Sequence, residues 1–596
     1  LLAAVTYRAQ AEGVPLLYIS ANSGARLGLA PEILDKFQVR FQGDDPALGV
    51  DYLYLDDAAL QQVVPGSVST VPREAADGST HHVIKDVIGN PRGDLGVECL
   101  SGSGRLAGEM SRAREKIFTA TIVTGRSVGI GAYLARLSGR VIQVGIAPMI
   151  LTGFQALNRL LGRDVYSGNL QLGGPQVMTF NGVTHLTTQT DLEAMHEYLR
   201  WLSYVPARAG DSVLILRPND PIERRVAYVP PTTPYDPRCL ISGTTQHGIT
   251  LAGLFDSGSF QETLVGWATS VVVGRARLGG IPFGVVAAET RTLERVELAD
   301  PANPNSSEER VHEAGQVWYP NSAMKTAQAI MDFDREGLPL MILANWRGFS
   351  GGQRDMHDAM LMQGSKIVDA LAVYAQPVFV HLPPHAELRG GSWVVLDSAV
   401  SADGHIEMTA DPSARGGVLE AEGLVEIKFR EEQRRRMMSR LDSTYAALEE
   451  QARHVTSPAN EINKLREREK KIGPFINSIA IQYADAQDRV GRMLATGVVR
   501  HALPWEGART YFYWRARRRL AEIRIQQALR RADSSLDTEA TLALLHRTAA
   551  YSDNDRDEAA VRRIETSAAS IHAAIAAVRD RAICRAYNNL MSETRV

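Results

Sequence analysis

The 596-residue chain carries 65 basic and 68 acidic residues, a formal net charge of −3, which argues against general nucleic-acid or anionic-membrane binding as its function. With 44% apolar residues it can bury the cores of two or three domains. Its three cysteines, Cys99, Cys239 and Cys584, are too few and too scattered for a disulfide framework or a four-cysteine zinc site, and they fit a reducing compartment.

The opening "LLAAVTYRAQAEGVPLLYIS" reads as the end of a helix running into a strand, with no secretory pattern, so the chain is expected to begin inside a domain. His81 and His82 are read as solvated residues of a polar loop and not as metal ligands. "GSGRLAG" (102–108) is a spoiled dinucleotide fingerprint. The apolar "IFTATIVT" (117–124) predicts a strand that empties into the Gly-rich "GRSVGIGAY" (125–133), after which "AYLARL" predicts a helix. "VIQVGIAPMILTGFQALN" (141–158) is interrupted by Gln143, Pro148, Gly153 and Gln155, which predicts core strands and no membrane span. The S-x-x-K match at Ser322 to Lys325 lacks its companion motifs.

"PLMILA" (339–344) is too short for a helix and is bounded by turn residues, so it predicts a buried strand. The loop after it carries Arg347, Gly348, Gly351, Gly352 and Arg354. Glycines there let the backbone approach a ligand with its N–H groups free to donate. From residue 431 the chain is charged and helix-prone, with Glu and Arg at helical spacing in "REEQRRRMMSRLDSTYAALEEQA" (430–452). The Arg434 to Arg436 run reads as a solvated helix face. Beyond residue 520, "DTEATLALLHRT" and "VRRIETSAASIHAAIAAVRDRA" predict an added helical hairpin.

The chain also repeats itself. At an offset of 324, "GVPLLYISANSGARLG" (13–28) overlies "GLPLMILANWRGFSGG" (337–352), sharing Gly13/Gly337, Pro15/Pro339, Leu16/Leu340, Gly24/Gly348 and Gly28/Gly352. At an offset of 264, "IQVGIAP" (142–148) overlies "IEMTADP" (406–412), and each lies downstream of an Arg-plus-Gly loop, "GRSVGIGAY" or "LRGGSW" (388–393). Two blocks recurring in one order predict a duplication, with two Gly-rich strand-end loops in each half. Such loops can aim backbone N–H groups at oxygens that gain charge during a reaction. A competing reading is the nucleophile elbow of serine hydrolases, since Gly125 to Gly129 and Gly348 to Gly352 both match G-x-S-x-G, with Ser127 as the better-placed nucleophile. No particular Asp and His can be nominated to complete a triad.

"ANSGARLG", "DLGVECLSGSG", "RSVGIGAYLARL", "NLQLGGPQVMTFNGVTHL", "SVVVGRARLGG", "DPANPNS", "AGQVW", "NWRGFSGGQRDM" and "ELRGGSWVVLD" together resemble the carboxyltransferase domain of eukaryotic multidomain acetyl-CoA carboxylase. The resemblance covers roughly residues 1–430 and continues more loosely to 520. It implies an α/β fold of two crotonase-like (ββα superhelix) domains, 1–218 and 219–430, followed by a helical extension at 431–596. It further implies that residues before Leu1, including the first strands of the N-terminal domain, are missing from the sequence.

The implied reaction moves CO2 from N1′ of carboxybiotin to the methyl carbon of acetyl-CoA, giving malonyl-CoA for fatty-acid synthesis. By the same resemblance, amides at Ala25, Gly129 and Ile130 form one oxyanion hole, amides at Gly351 and Gly391 form a second, and Arg126 and Arg347 are the active-site arginines. Tyr133, Phe349 and Trp393 wall the pocket, while Lys428 and Arg430 face CoA phosphates. The implied cofactors are biotin and a CoA thioester, without a metal. The implied partners are a second copy, sharing its active sites, and the biotin carboxylase and biotin carrier domains, with a cytoplasmic location and plastids as the alternative. Propionyl- or methylcrotonyl-CoA carboxyltransferase and a non-catalytic CoA-binding module are the remaining alternatives.

Overall fold

The computed structural model describes residues 1–90, 95–453 and 459–593, in two compact units: Leu1–Met178 with Thr187–Met195, and Thr179–Leu186 with His196–Val596. In the first unit, the strands β1 (Leu16–Asn22), β2 (Thr119–Val128) and β3 (Arg140–Val144) lie side by side and parallel. β2 outruns its neighbours, and its last residues pair with β4 (Met149–Ile150), Ser127 opposite Met149 and Val128 opposite Ile150. Helix α1 (Val97–Lys116) precedes β2, and α2 (Ile130–Leu137) follows it.

The second unit repeats this arrangement. β5 (Leu340–Leu343), β6 (Val378–Leu382) and β8 (Ile406–Ala410) are parallel neighbours in that order. β7 (Glu387–Arg389) pairs with β9 (Arg415–Gly417) as β2 pairs with β4, and Trp346 bridges Leu388 as Asn22 pairs with Ser127. The repeat offsets place Leu16 and Leu340 as the first residues of β1 and β5, and Ile142 and Ile406 inside β3 and β8. The duplication read from the sequence is therefore a duplication of architecture.

Among the described residues, β5, β6 and β8 are the centre of a seven-stranded sheet that also contains Gln261–Thr263, Val271–Leu278, Ile281–Ala288 and, at its edge, His501–Ala502. Both faces are covered, which is why β5 reads Leu-Met-Ile-Leu without alternation. On one face the helix Pro320–Arg335 buries Ala323, Ala327, Ile330 and Phe333, residues spaced to line one side of a helix. The opposite face is closed by α6 (Ala508–Ala532) through Phe512, Tyr513 and Ala516. Buried charges sit at both layers. Arg275 makes a two-pronged pair with Glu336 at 2.6 Å and lies over Trp201 and Phe333. Arg515 of α6 grips Glu407 of β8 at 2.6 and 2.7 Å and reaches Asp557 of the C-terminal hairpin at 2.8 Å.

Several local expectations change. His81 and His82 lie on the strand Thr80–Val87 and not in a loop: His81 is buried, stacked on Tyr54 and bonded to the Tyr52 hydroxyl at 3.0 Å, and His82 meets Asp57 at 2.7 Å. "GSGRLAG" is interior to α1. Lys325 is wholly buried, its ammonium donating to the carbonyls of Leu264, Trp267 and Ala268 at 2.9–3.4 Å, and burial pushes its pKa down to about 7. Its S-x-x-K partner Ser322 caps the helix N-terminus. No described helix is long and apolar enough to cross a membrane.

Candidate active site

Strand alternation sorts the residues at the end of β2. Arg126 points outward, its guanidinium 3.3 Å from the Ser23 hydroxyl, and has no carboxylate partner among the described residues. Ser127 points inward and is fully buried, its Oγ 2.6 Å from Ser20 Oγ. An elbow serine must present its oxygen at an exposed strand-to-helix turn. Ser127 is instead a paired strand residue, and Ser350, in the second match, donates to Asp355. The hydrolase alternative has lost Ser127, its better-placed nucleophile.

The turn from β2 into α2 is made by Gly129 at φ +55, ψ −117, a conformation that suits glycine. Its amide donates to Ile150 O at 2.8 Å, so Gly129 contributes the turn and not a free donor, a correction to the expected hole. The amides of Ala25 and Ile130 donate to no other group among the described residues. Ala25 is held through Asn22: its Oδ1 accepts from Gly24 N at 3.2 Å, and its Nδ2 donates to Tyr18 OH at 3.1 Å. The Asn22 amide fits there because residue 131 is glycine; a Cβ on Gly131 would lie 1.8 Å from Asn22 Oδ1. Tyr133, one turn along α2 from Ile130, is exposed.

In the second unit Arg347 leaves the end of β5. Its main-chain amide donates to Gln316 O at 2.8 Å, and Ser350 N donates to Trp318 O at 2.8 Å. The guanidinium is 48% exposed, 3.3 Å from Glu420 and 3.8 Å from Glu387. Contacts this long from a half-exposed guanidinium are weak, so an incoming carboxylate can displace them. Phe349 stacks on Trp318 at 5.0 Å, and Trp318 stacks on Trp346 at 4.2 Å. A Cβ on Gly391 would lie 3.3 Å from the Phe349 ring, which places the two Gly-rich loops of this half against each other. The amides of Gly351 and Gly391 have no partner among the described residues.

Trp393 lies on α3 (Gly390–Leu396), its indole N–H donating to Asp397 at 2.7 Å. It lines a cavity of 750 Å³ with Val394, Val418, Tyr483 and Met493. Lys428 ends α4 (Ala421–Lys428), whose N-cap is the Glu420 that faces Arg347. Eight residues of helix set Lys428 about 12 Å farther along. Lys428 and Arg430 are exposed and have no ion-pair partner among the described residues.

Sequence reasoning missed the polar groups that hold these loops. Asn345 Oδ1 accepts from Gln316 Nε2 at 2.5 Å and from Glu387 N at 2.9 Å. Arg389 is buried between Glu387, the Leu419 carbonyl and Asp488. The "ELR" spelling beside a Gly pair hinted at Glu387 and Arg389, but Asp488 is remote in sequence and carries no local signal.

The sequence profile described as "Carboxyl transferase domain" matches residues 1–520. The chain is 53% identical over 527 residues to an acetyl-CoA carboxylase of Schizosaccharomyces pombe, covering 87% of this chain and 23% of that protein. It is 49% identical over 538 residues to a mitochondrial acetyl-CoA carboxylase of Saccharomyces cerevisiae, covering 88% of this chain and 24% of that one. The chain thus spans about a quarter of the length of the curated relatives it matches. Its fold is similar to that of transcarboxylase 12S, solved with methylmalonyl-CoA and methylmalonic acid bound, with TM-score 0.55 and 18% identity over 85% of this chain and 73% of that one. With the profile spanning most of the sequence and the duplicated strand-and-loop architecture in place, the chain belongs to the carboxyl transferase domain family.

Proposed function

We propose that this chain transfers the carboxyl group of N1′-carboxybiotin to acetyl-CoA, forming malonyl-CoA. The observation that carries the reading is the recurrence, in both units, of an arginine beside strand-end amides that have no other hydrogen-bond partner among the described residues: Arg126 with Ala25 and Ile130, and Arg347 with Gly351 and Gly391. Preoriented amides in each loop would stabilise, without reorganisation, negative charge on the carbonyl oxygen of a thioester or of a biotin urea held against them. The donor set fits both groups. Bound carboxybiotin supplies the transferable carboxyl and, once that has left, a basic nitrogen to take the methyl proton.

The protein's own part is positioning. Arg126 and Arg347 each offer a planar fork that can hold a carboxylate by two parallel bonds, fixing the transferring group or the malonyl product. Tyr133, Phe349 and Trp393 supply walls, and Lys428 and Arg430 offer unpaired positive charge to CoA phosphates. We further propose that the working form is a homodimer with each site shared between copies. Phe475, Ile479 and Tyr483 recur at four-residue spacing on α5 (Ala459–Gln487), and with Val394 and Val418 they are exposed apolar residues of the kind that mark an interface. Biotin carboxylase and biotin carrier domains would be its partners. A cytoplasmic location suits three cysteines that form no disulfide.

The test is carboxyl transfer with acetyl-CoA and propionyl-CoA compared side by side, and in reverse from malonyl-CoA to free biotin. Preference for acetyl-CoA is expected. Preference for propionyl-CoA would move the reading to the neighbouring enzyme, and no transfer in either direction would leave a CoA-binding module.

A further inference from the structure

Gln316 is one of the few described non-glycine residues with a left-handed backbone, at φ +63. Such conformations persist where surrounding contacts enforce them, and they cluster at functional positions. Here the enforcement is visible. Gln316 N donates to Glu289 O at 2.7 Å, and the preceding Gly315 is pressed against the Thr290 carbonyl, where a Cβ would sit 2.2 Å from the oxygen. The twist lets Gln316 grip the Arg347 loop twice. Its carbonyl accepts the Arg347 amide at 2.8 Å, and its side-chain amide donates to Asn345 Oδ1 at 2.5 Å.

Asn345 is 4% exposed, and the same oxygen accepts the Glu387 amide at 2.9 Å. Two N–H donors on one atom identify it as the oxygen. Glu387 opens β7, which leads through Arg389 to Gly390 and Gly391. One side-chain oxygen therefore ties together the segment 315–318, the Arg347 loop and the strand that leads into Gly391.

We propose that Gln316 is a positioning residue for carboxyl transfer, fixing Arg347 directly and, through Asn345, the distance between Arg347 and the Gly391 amide. The inference rests on the carboxyl-transfer reading. An error of about 1 Å in such a constellation costs about a hundredfold in rate, while binding of the CoA thioester, made largely elsewhere, changes little.

The informative variant is Gln316→Gly, which deletes the side chain but suits the backbone: relief of the left-handed strain offsets the lost hydrogen bond and the added unfolded-chain entropy, so the melting temperature should stay within a few degrees of wild type. In malonyl-CoA to biotin transfer, kcat should fall by about ten- to a hundredfold with KM for malonyl-CoA within about threefold. Gln316→Asn, which tolerates the left-handed backbone but is too short to reach Asn345, should behave alike. Asn345→Ala should match Gln316→Gly and add nothing to it in the double variant. Wild-type kcat in Gln316→Gly, multiplicative losses in the double variant, or a loss of rate that merely follows a lowered melting temperature would each overturn the proposal.

Hydrogen exchange over 345–351 and 386–391 reads the tether without the reaction. Both segments should lose protection together in Gln316→Gly, and unchanged protection overturns the tether. An inactive wild type with that joint loss would sink the proposed function and leave the tether standing.

Discussion

Replacing Gly131 with alanine should reverse the usual sign of such a change inside a helix. Alanine is normally preferred there by about 1 kcal/mol. In α2 the added methyl would lie 1.8 Å from Asn22 Oδ1 and 2.4 Å from both Cγ and Nδ2, so the whole Asn22 amide must move by about 1–1.5 Å to regain contact distance. Asn22 then gives up its bonds to Gly24 N, Tyr18 OH and Ser20 Oγ. At about 1 kcal/mol each, less the helix gain, the net destabilisation is about 2 kcal/mol, or about 4–8 °C in the unfolding midpoint of the first unit. The Ala25 amide loses its support in the same step. If it is an oxyanion donor, kcat should fall by about 10²–10³. Calorimetry and malonyl-CoA to biotin transfer measure the two effects. The double variant Gly131→Ala/Asn22→Ala should lose no further stability than Gly131→Ala, because the bonds Asn22 makes are already broken, and should not recover the rate. A Gly131→Ala protein as stable and as active as wild type would show that Asn22 does not hold the Ala25 loop.

Arg347→Ala should lower kcat by about a hundredfold or more with an unchanged circular dichroism spectrum, and lysine should restore only part of it because it lacks the planar fork; near-normal turnover would remove Arg347 from the site. Ser127→Ala should retain most activity, and a fluorophosphonate should leave Ser127 unlabelled, stoichiometric labelling being the contrary result. Equal mixtures of Arg126→Ala and Arg347→Ala chains, each nearly inactive alone, should recover about a quarter of wild-type sites after subunit exchange, since an isologous pair with composite sites yields one intact site per mixed dimer. No recovery after verified exchange would place the site within one chain. Glu336→Gln strands the buried Arg275 and should cost about 3–5 kcal/mol in chemical denaturation, with a loss below about 1 kcal/mol counting against that burial.

The parts of the fold legible in the sequence are those whose signals are local. β1 and β5 could be read because short apolar runs between turn residues leave one choice, and the repeat could be read because glycine and proline mark the same turns twice. The misreadings come from partners far along the chain. The spelling of "GRSVGIGAY" contains three glycines, but only the pairing of β2 with β4 shows that the Gly129 amide is consumed by Ile150 while that of Ile130 is left over. His81 looked like a loop residue because "THHVIKD" has no two-residue period, and its burial depends on Tyr52 and Tyr54 of a neighbouring strand. The Gln316 to Asn345 contact spans 29 residues and joins two unremarkable amides, with no composition to announce it. The arginines and glycines of the loops were visible; the groups that aim them were not.

The charged contacts of α6 bear on how this sequence can drift. Arg515 is shared by Glu407 of a central strand and Asp557 of the C-terminal hairpin, while the neighbouring Arg518 serves Glu522 and Asp557 together. Each member also has a second opposite charge within reach, Glu522 bonding Arg519 at 2.8 Å and Glu407 lying 3.3 Å from Arg519, so a single neutral replacement strands none of them and the network absorbs changes one at a time. The tract "RARRRL" thus ties β8 to acids after residue 550, and the profile match, which ends at residue 520, stops inside a continuous helix that carries the same charge network across that point.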